Sequence, residues 1–337
     1  IDYSGITDAD AIQMMDKYVK DYKDAIDPAF GAMANSFVVG NVSQPLIGKP
    51  HVGFLAIGVN AGVAFSDMDF NNKTAGGKTL NEALIDVPGA GKVNALTIGV
   101  AAAPYATLSL DPLAGIFGLN FFADSDITAK LLTFKLGKRG DEFFTDLFSF
   151  GLIFRKQIID EITLVPFIFS ISGVSFSAGF FYTSNEVSTI VGLDLLETME
   201  YDGMGRVEFG ADDLNVGMKA KSMTFDADIK GFFNIAYFLD LYAGFGLSFN
   251  FSNKIDVNGD ITGSIDVYDS SNTLLGSSAQ GLKISGEGKG SGFIPRFMIG
   301  TQINIWMVKV GAQYTMAFPK GSADTVKSIS VGVGVAF

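Results

Sequence analysis

Hydrophobic and small or polar residues alternate along the last ten positions of the chain, Ser328 to Phe337. One face of this segment carries four branched aliphatic side chains and a terminal aromatic, and the other carries only serine, glycine and alanine. A period of two is typical of a β-strand, since a helix would repeat every 3.6 residues. In a soluble sheet the apolar face would meet a protein core, whereas in an outer-membrane barrel it would meet lipid.

The same alternation recurs along the chain and predicts about fourteen strands. The first two are predicted to run from about His51 to Phe65 and from Leu96 to Leu110, and the last ends at Phe337. The others are centred near Leu119, Phe134, Phe150, Leu164, Phe180, Leu193, Val216, Ile229, Phe245, Ile299 and Ala312. Tight connections at every second junction and two long ones on the opposite side follow the pattern of outer-membrane barrels. We therefore predict an all-β fold, a transmembrane antiparallel β-barrel, for residues 51–337.

Composition supports a barrel rather than a bundle of membrane helices. Nearly half of the residues are hydrophobic, yet the 40 glycines and 31 phenylalanines are spread along the chain. The charge-free stretch from Ile162 to Asn185 is long enough to span a bilayer as a helix, but Pro166 and the alternation from Val174 to Tyr182 favour a hairpin. A β-sandwich is disfavoured because the alternate positions are too apolar to face water.

Residues 1–50 differ from the rest and form a separate N-terminal segment. Thr7 followed by Asp10 resembles a capping box, and helical spacing then places one set of apolar residues on a single face. That set is Ile12, Met15, Val19, Tyr22, Ile26, Phe30 and Met33. Besides ordinary core packing, two interpretations stay open. The helix is either a plug that enters the lumen from the periplasmic side or a cap at the periplasmic mouth that docks a partner.

Several kinds of chemistry are excluded by composition. The chain has no cysteine and a single histidine, His51, so thiol chemistry and multi-histidine metal sites are excluded. A net charge of −12 argues against nucleic-acid binding. The acidic residues near Asp256 lack the glycine of a calcium loop, because Ile261 stands in its place. We expect no cofactor, no metal and no enzymatic activity.

The predicted inward face mixes aromatic, apolar and basic side chains. An apolar pocket with a few convergent polar groups suits an amphiphile whose carboxylate lies near a basic side chain. The candidate ligand-binding residues are Phe54, Tyr105, Phe122, Arg155, Tyr242, Arg296 and Met298. The alternative is that the aromatics pack against the N-terminal helix. Pro104, in the second strand, removes one ladder hydrogen bond and predicts a kink or a break in pairing.

A barrel with an N-terminal plug and a terminal phenylalanine resembles the FadL/TodX-like family of outer-membrane transporters for long-chain fatty acids and other hydrophobic compounds. Asp27-Pro28-Ala29 echoes an Asn-Pro-Ala found near the start of that family, and the stretch from Gly48 to Phe54 is similar to one in uncharacterised barrel proteins. The resemblance implies a hydrophobic ligand held against the plug. It also implies an exit through a gap in the wall at a kinked strand, for which Pro104 is the candidate.

The expected location is the bacterial outer membrane, in contact with its lipids and with a signal peptide removed before Ile1. A hydrophobic small molecule is the expected partner. The rival function is that of a non-transporting barrel, a scaffold or accessory subunit that holds a protein partner in an outer-membrane complex.

Overall fold

The computed structural model describes most of the chain. The described residues are 31, 33–42, 54–67, 96–118, 120–165, 168–201, 205–236, 238–268, 271, 273–321 and 325–337. No helix in this part of the chain is long and apolar enough to cross a bilayer.

Strands dominate the described residues. In chain order they are β1 (Leu55–Asp67), β2 (Leu96–Ser109), β3 (Ser125–Leu136), β4 (Phe143–Ile159), β5 (Ile162–Val165), β6 (Phe169–Tyr201), β7 (Gly205–Ile235), β8 (Leu239–Tyr268), β9 (Leu274–Lys289), β10 (Phe293–Ile305), β11 (Val308–Ala317) and β12 (Val326–Ala336). Helix α1 comprises residues 31 and 33–42. Helix α2 (Asp111–Phe117) and a short 3-10 turn (Asn120–Phe122) connect β2 to β3.

Ten of these strands form a closed antiparallel ring in the order β1-β2-β3-β4-β6-β7-β8-β10-β11-β12. The ring closes because β12 pairs with β1 continuously, from Ala56 opposite Ala336 to Ser66 opposite Val326. Outside the ring, β5 pairs with β6 and β9 pairs with β8.

The ring therefore has ten strands, and the predicted number of about fourteen is wrong for the barrel. Phe180 and Leu193 lie in one continuous strand, β6, and Val216 and Ile229 both lie in β7. Leu164 belongs to β5, outside the ring, and the elements that flank position 119 are α2 and the 3-10 turn, not strands. The centres near Leu193 and Val216 are therefore parts of the long strands β6 and β7 and not strands of their own.

The two faces of the strands are divided as predicted. In β12, Val331 and Val333 are about half exposed, at 51% and 50%, whereas Ser328 and Ser330 are buried. In β1, Ile57 and the other outward residues are likewise exposed, and alternate residues point inside. An apolar outside and a polar inside are the arrangement of a transmembrane β-barrel.

The two ends of the barrel differ. The turn end carries the C-terminal Phe337 and the tight connections at Phe238 and Trp306. The rim end carries the β3–β4 and β11–β12 connections. Here β4 pairs with β6 only as far as Phe143 opposite Thr189, but β6, β7 and β8 continue beyond the ring and form a four-stranded sheet with β9. We call this part the rim extension.

Helix α1 lies inside the ring. Val38, Val39 and Val42 are buried against inward residues of the wall, including Ile153 and Phe181. The Asn35 side chain accepts a hydrogen bond from the Ser291 backbone N–H (2.6 Å) at the rim, and Asn41 donates to the Thr183 hydroxyl (2.6 Å) deeper in the ring. The helix thus runs from the rim end into the interior. The helical residues predicted from Ile12 to Phe30 lie outside the described residues.

Candidate functional site

The wall of the barrel is incompletely paired between β2 and β3. Only five residue pairs join these strands, from Tyr105 opposite Lys130 to Ser109 opposite Asp126. By contrast, β2 pairs with β1 along its length to Leu96, and β3 pairs with β4 along its length to Leu136. We call the unpaired portions, residues 96–104 of β2 and 131–136 of β3, the β2–β3 seam.

Pro104 stands where the pairing stops. It is the first residue of β2 beyond the last β2–β3 pair, although Val59 of β1 still lies opposite it. Proline has no backbone N–H to donate to a neighbouring strand, so a break in pairing next to it has a direct physical cause. The sequence-based candidate for a kink in the wall thus lies at the lower end of the seam.

A narrow cavity lies behind the seam, between α1 and the wall. Its enclosed volume is only about 20 Å³, and it opens to solvent. Its lining is Phe37, Gly40 and Asn41 of α1, Asn60, Ala61 and Gly62 of β1, Ala102 and Ala103 of β2, Leu132 of β3, Leu147 and Ser149 of β4, and Thr183 of β6. The polar groups of Asn41, Ser149 and Thr183 are hydrogen-bonded to one another at 2.6 to 3.4 Å. The rest of the lining is mainly apolar.

The inner face of β3 continues this apolar surface along the seam. Counting in steps of two from the buried Lys130, the inward residues are Leu132, Phe134 and Leu136. Phe134 and Leu136 are 49% and 52% exposed, because β2 does not pair beside them. The seam therefore gives access to an apolar strip on the inside of the barrel.

Buried charges fill the interior nearer the turn end. An Arg296 Nη2 donates to both carboxylate oxygens of Asp226, at 2.5 and 2.6 Å, and to Asp228 at 2.8 Å. A Cβ added at Gly246 would lie 2.1 Å from an Asp228 oxygen, so glycine leaves room for this cluster. On the opposite side of the ring, Arg155 pairs with Asp126. Both arginines thus already have carboxylate partners inside the protein.

The buried acidic and basic residues of the described chain are equal in number. Four acidic and four basic residues are buried in the described chain: Asp126, Asp226, Asp228 and Asp240, and Lys130, Arg155, Lys230 and Arg296. Such a set is costly to bury unless each charge is paired. A second cavity, lined in part by Val42, Asp226 and Asp228, separates the tip of α1 from this cluster.

Five of the seven predicted ligand-binding residues lie in the buried interior, and two do not. Tyr105, Arg155, Tyr242, Arg296 and Met298 are all buried. Phe54 precedes β1 with 59% of its side chain exposed. Phe122 belongs to the 3-10 turn, where its ring lies 5.4 Å from that of Phe121. The strand pattern was extended too far at these two positions, because a residue before a strand or in a helical turn has no fixed inward direction.

Other interior residues were not singled out from the sequence. Asp226, Asp228 and Lys230 recur at every second position of β7, so alternation alone could have placed them inside. The contribution of Phe37 to the cavity could not have been found this way, because it depends on where α1 docks. Among the described residues, no group of histidine, cysteine and acidic side chains is arranged to hold a metal ion.

Comparison with known proteins identifies a family. The model of the Lsa36-like family matches residues 11–337, and no curated protein matches the sequence significantly. Among solved structures, the translocator domain of the autotransporter NalP from Neisseria meningitidis shares 11% identity at a TM-score of 0.30, covering 94% of this chain and 99% of that one.

Two further solved barrels resemble this chain with similarly low identities and TM-scores. A Pseudomonas aeruginosa FadL homologue shares 10% identity (92% and 98% of the chains, TM-score 0.27). The CymD monoaromatic hydrocarbon channel shares 8% (93% and 98%, TM-score 0.27). With TM-scores this low, these likenesses carry no argument about function.

Proposed function

The chain belongs to the Lsa36-like family, and we propose that it is a bacterial outer-membrane barrel that binds a hydrophobic or amphiphilic small molecule, such as a fatty acid, and passes it across the membrane. The membrane location is supported by the outward residues of the ring, such as Ile57, Val331 and Val333, which would be costly to expose to water. The proposal assigns the protein no catalytic step.

The observation that carries the proposal is the cavity behind an unpaired part of the wall. Elsewhere in the ring, neighbouring strands pair over ten or more positions, whereas β2 and β3 pair over five. An opening of this kind, backed by Phe37, Leu132 and Leu147, would give an apolar molecule a place to enter the interior from the lipid once α1 or the seam strands move apart. A water-filled pore would need polar walls instead.

The charged residues that fill the interior toward the turn end favour a route through the side of the wall for the transported molecule. Arg296, Asp226 and Asp228 occupy the interior toward the turn end, and their hydrogen bonds would have to break for a molecule to pass straight through. Leaving through the seam would break no such bonds, because within the described chain residues 96–104 of β2 and 131–136 of β3 do not pair with each other.

Helix α1 acts in this proposal as a plug. It supplies Phe37, Gly40 and Asn41 to the cavity and closes it toward the centre of the ring. Since α1 is held to the wall by side-chain hydrogen bonds through Asn35 and Asn41, its docking sets the size of the binding space.

A disulfide across the seam tests the route. Continuing the β2–β3 register places Ala103 opposite Leu132, and the chain has no cysteine of its own. We expect Ala103→Cys with Leu132→Cys, when oxidised, to reduce laurate uptake to the background of cells without the protein, and reduction to restore it. Uptake of labelled laurate is measured in bacteria that lack their own fatty-acid transporter.

The matched control is a disulfide in a fully paired part of the wall. Thr315 and Ser328 are opposite each other in β11 and β12 and are both buried. Cysteines at these positions should leave uptake unchanged. Full uptake with the seam disulfide formed would contradict the sideways route, and no uptake by the wild-type chain would contradict transport.

A second candidate function rests on the rim extension. In the described chain, β6 has no strand partner on its β4 side beyond Ile190, whose N–H donates to the Glu142 backbone oxygen, and β9 pairs only with β8. Free strand edges can pair with another protein, as a scaffold or accessory subunit requires. Replacing residues 190–215 with Asn-Gly would shorten the β6–β7 hairpin. Loss of a stoichiometric partner from native mass spectra of the purified protein would support this function, and a barrel without any protein partner would count against it.

A further inference from the structure

Lys130 occupies a special place in the wall. It is the inward residue of β3 in the last β2–β3 pair, opposite Tyr105, so it lies at the lower end of the seam. Its side chain is 3% exposed. Gly151 is its neighbour on β4, and Phe181 follows on β6. A Cβ at Gly151 would lie 2.9 Å from the Phe181 ring, so the glycine leaves space for both side chains.

The Lys130 ammonium differs from the other buried cations. Arg155 and Arg296 pair with carboxylates, and the Lys230 Nζ lies 3.7 Å from an Asp228 oxygen and 3.4 Å from the Gln313 side-chain oxygen. In the described structure, the Lys130 Nζ has no hydrogen-bond partner and lies 5.6 Å from the centre of the Phe181 ring. A buried ammonium without an acceptor is costly, so an anion at this point would offset the cost.

The surroundings of Lys130 suit both the charged head group and the hydrocarbon tail of an anionic amphiphile. The next inward residues on β3, β4 and β6 toward the rim are Leu132, Ser149 and Thr183, and all three line the cavity. They lie about 6–7 Å from the level of Lys130, since a strand rises by about 3.3 Å per residue. A cation therefore stands just below an apolar cavity, and Phe134 extends the apolar strip along the seam.

We propose that Lys130 binds the carboxylate of a fatty-acid-like molecule whose hydrocarbon tail lies along Leu132 and Phe134 toward the seam. This inference rests on the proposed function and makes it more specific. It assigns the head group to Lys130 and leaves Arg155 and Arg296 to their internal carboxylates. A charge-assisted hydrogen bond at this site would make the protein prefer an acid to the corresponding alcohol.

The test compares laurate with 1-dodecanol, which has the same tail and no charge. Apparent dissociation constants are measured by native mass spectrometry of the full chain in mild detergent. We expect Lys130→Met to weaken laurate binding about tenfold or more while leaving dodecanol binding unchanged, because a hydrogen bond to a charged group is lost. Lys130→Arg should restore most of the preference for laurate.

Lys230→Met is the matched control. Lys230 is equally buried, at 3% exposure, but it already has internal partners. This variant should keep the wild-type ratio of laurate to dodecanol affinity. If Lys130→Met also keeps that ratio, the assignment of the head group to Lys130 is wrong while ligand binding stands. If the wild-type protein binds neither molecule, the proposed function itself fails.

Discussion

The barrel has two unlike sides, although the same alternation of polar and apolar residues runs through both. Where β8 meets β10, pairing is continuous from Phe293 to Ile303, and the interior is filled by carboxylates around Arg296. Where β2 meets β3, pairing stops at Pro104 and a cavity lies behind the wall. Alternation decides which face of a strand meets lipid, but it does not decide whether neighbouring strands pair along their whole length.

The largest effect is expected from removing the central cation of the filled side. Arg296→Met leaves Asp226 and Asp228 buried without their main partner. We expect the free energy of unfolding to fall by about 3–5 kcal/mol, the usual cost of breaking a buried ion pair. Urea unfolding in detergent, followed by circular dichroism, measures the change.

The control for Arg296 is an exposed arginine with a carboxylate partner. Arg139 pairs with Glu186 at 2.7 Å near the rim, and its side chain is 70% exposed. Arg139→Met should cost about 0–1 kcal/mol, as is usual for surface ion pairs. Equal losses in the two variants would show that the Arg296 cluster does not stabilise the filled side.

An intermediate loss of stability is expected at the cavity side, from removing a contact between α1 and the wall. Asn41→Ala removes the 2.6 Å hydrogen bond to Thr183, and a loss of about 1 kcal/mol is expected. Faster hydrogen exchange of the α1 amides would report the loosened docking. Ser149→Ala is the comparison, because it leaves the Asn41–Thr183 bond in place; if it loosens α1 as much, that bond does not hold the helix.

The smallest change in stability is expected from a substitution at the β2–β3 seam. Pro104→Val supplies the missing backbone N–H and allows β2 and β3 to pair further toward the rim, which should slow hydrogen exchange at Leu131 and Thr133 of β3. We expect the free energy of unfolding to rise by no more than about 1 kcal/mol. Ala102→Val, at an outward residue that already has its N–H, is the control. Unchanged exchange in Pro104→Val would mean that the proline does not cause the break.

Much of the wall could be predicted from sequence because the strand period is short and unambiguous. The inward and outward residues of β12, such as Ser330 and Val331, lie as the alternation requires. The same reasoning placed Tyr105, Arg155 and Arg296 inside the ring. It failed at Phe122 because a helical turn interrupts the strands there.

The sequence by itself determined the strand character of the chain, the two faces of each strand and the polar interior, because these follow from local periodicity. Only the tertiary structure decided the number of strands in the ring, the end of pairing at Pro104 and the docking of α1 beside Leu132. It also decided which charges are paired. The bond from Arg296 to Asp226 joins two different strands, and among the described residues no strand brings an acceptor to Lys130. Periodicity describes one strand at a time, whereas ring size, gaps and ion pairs depend on how strands meet.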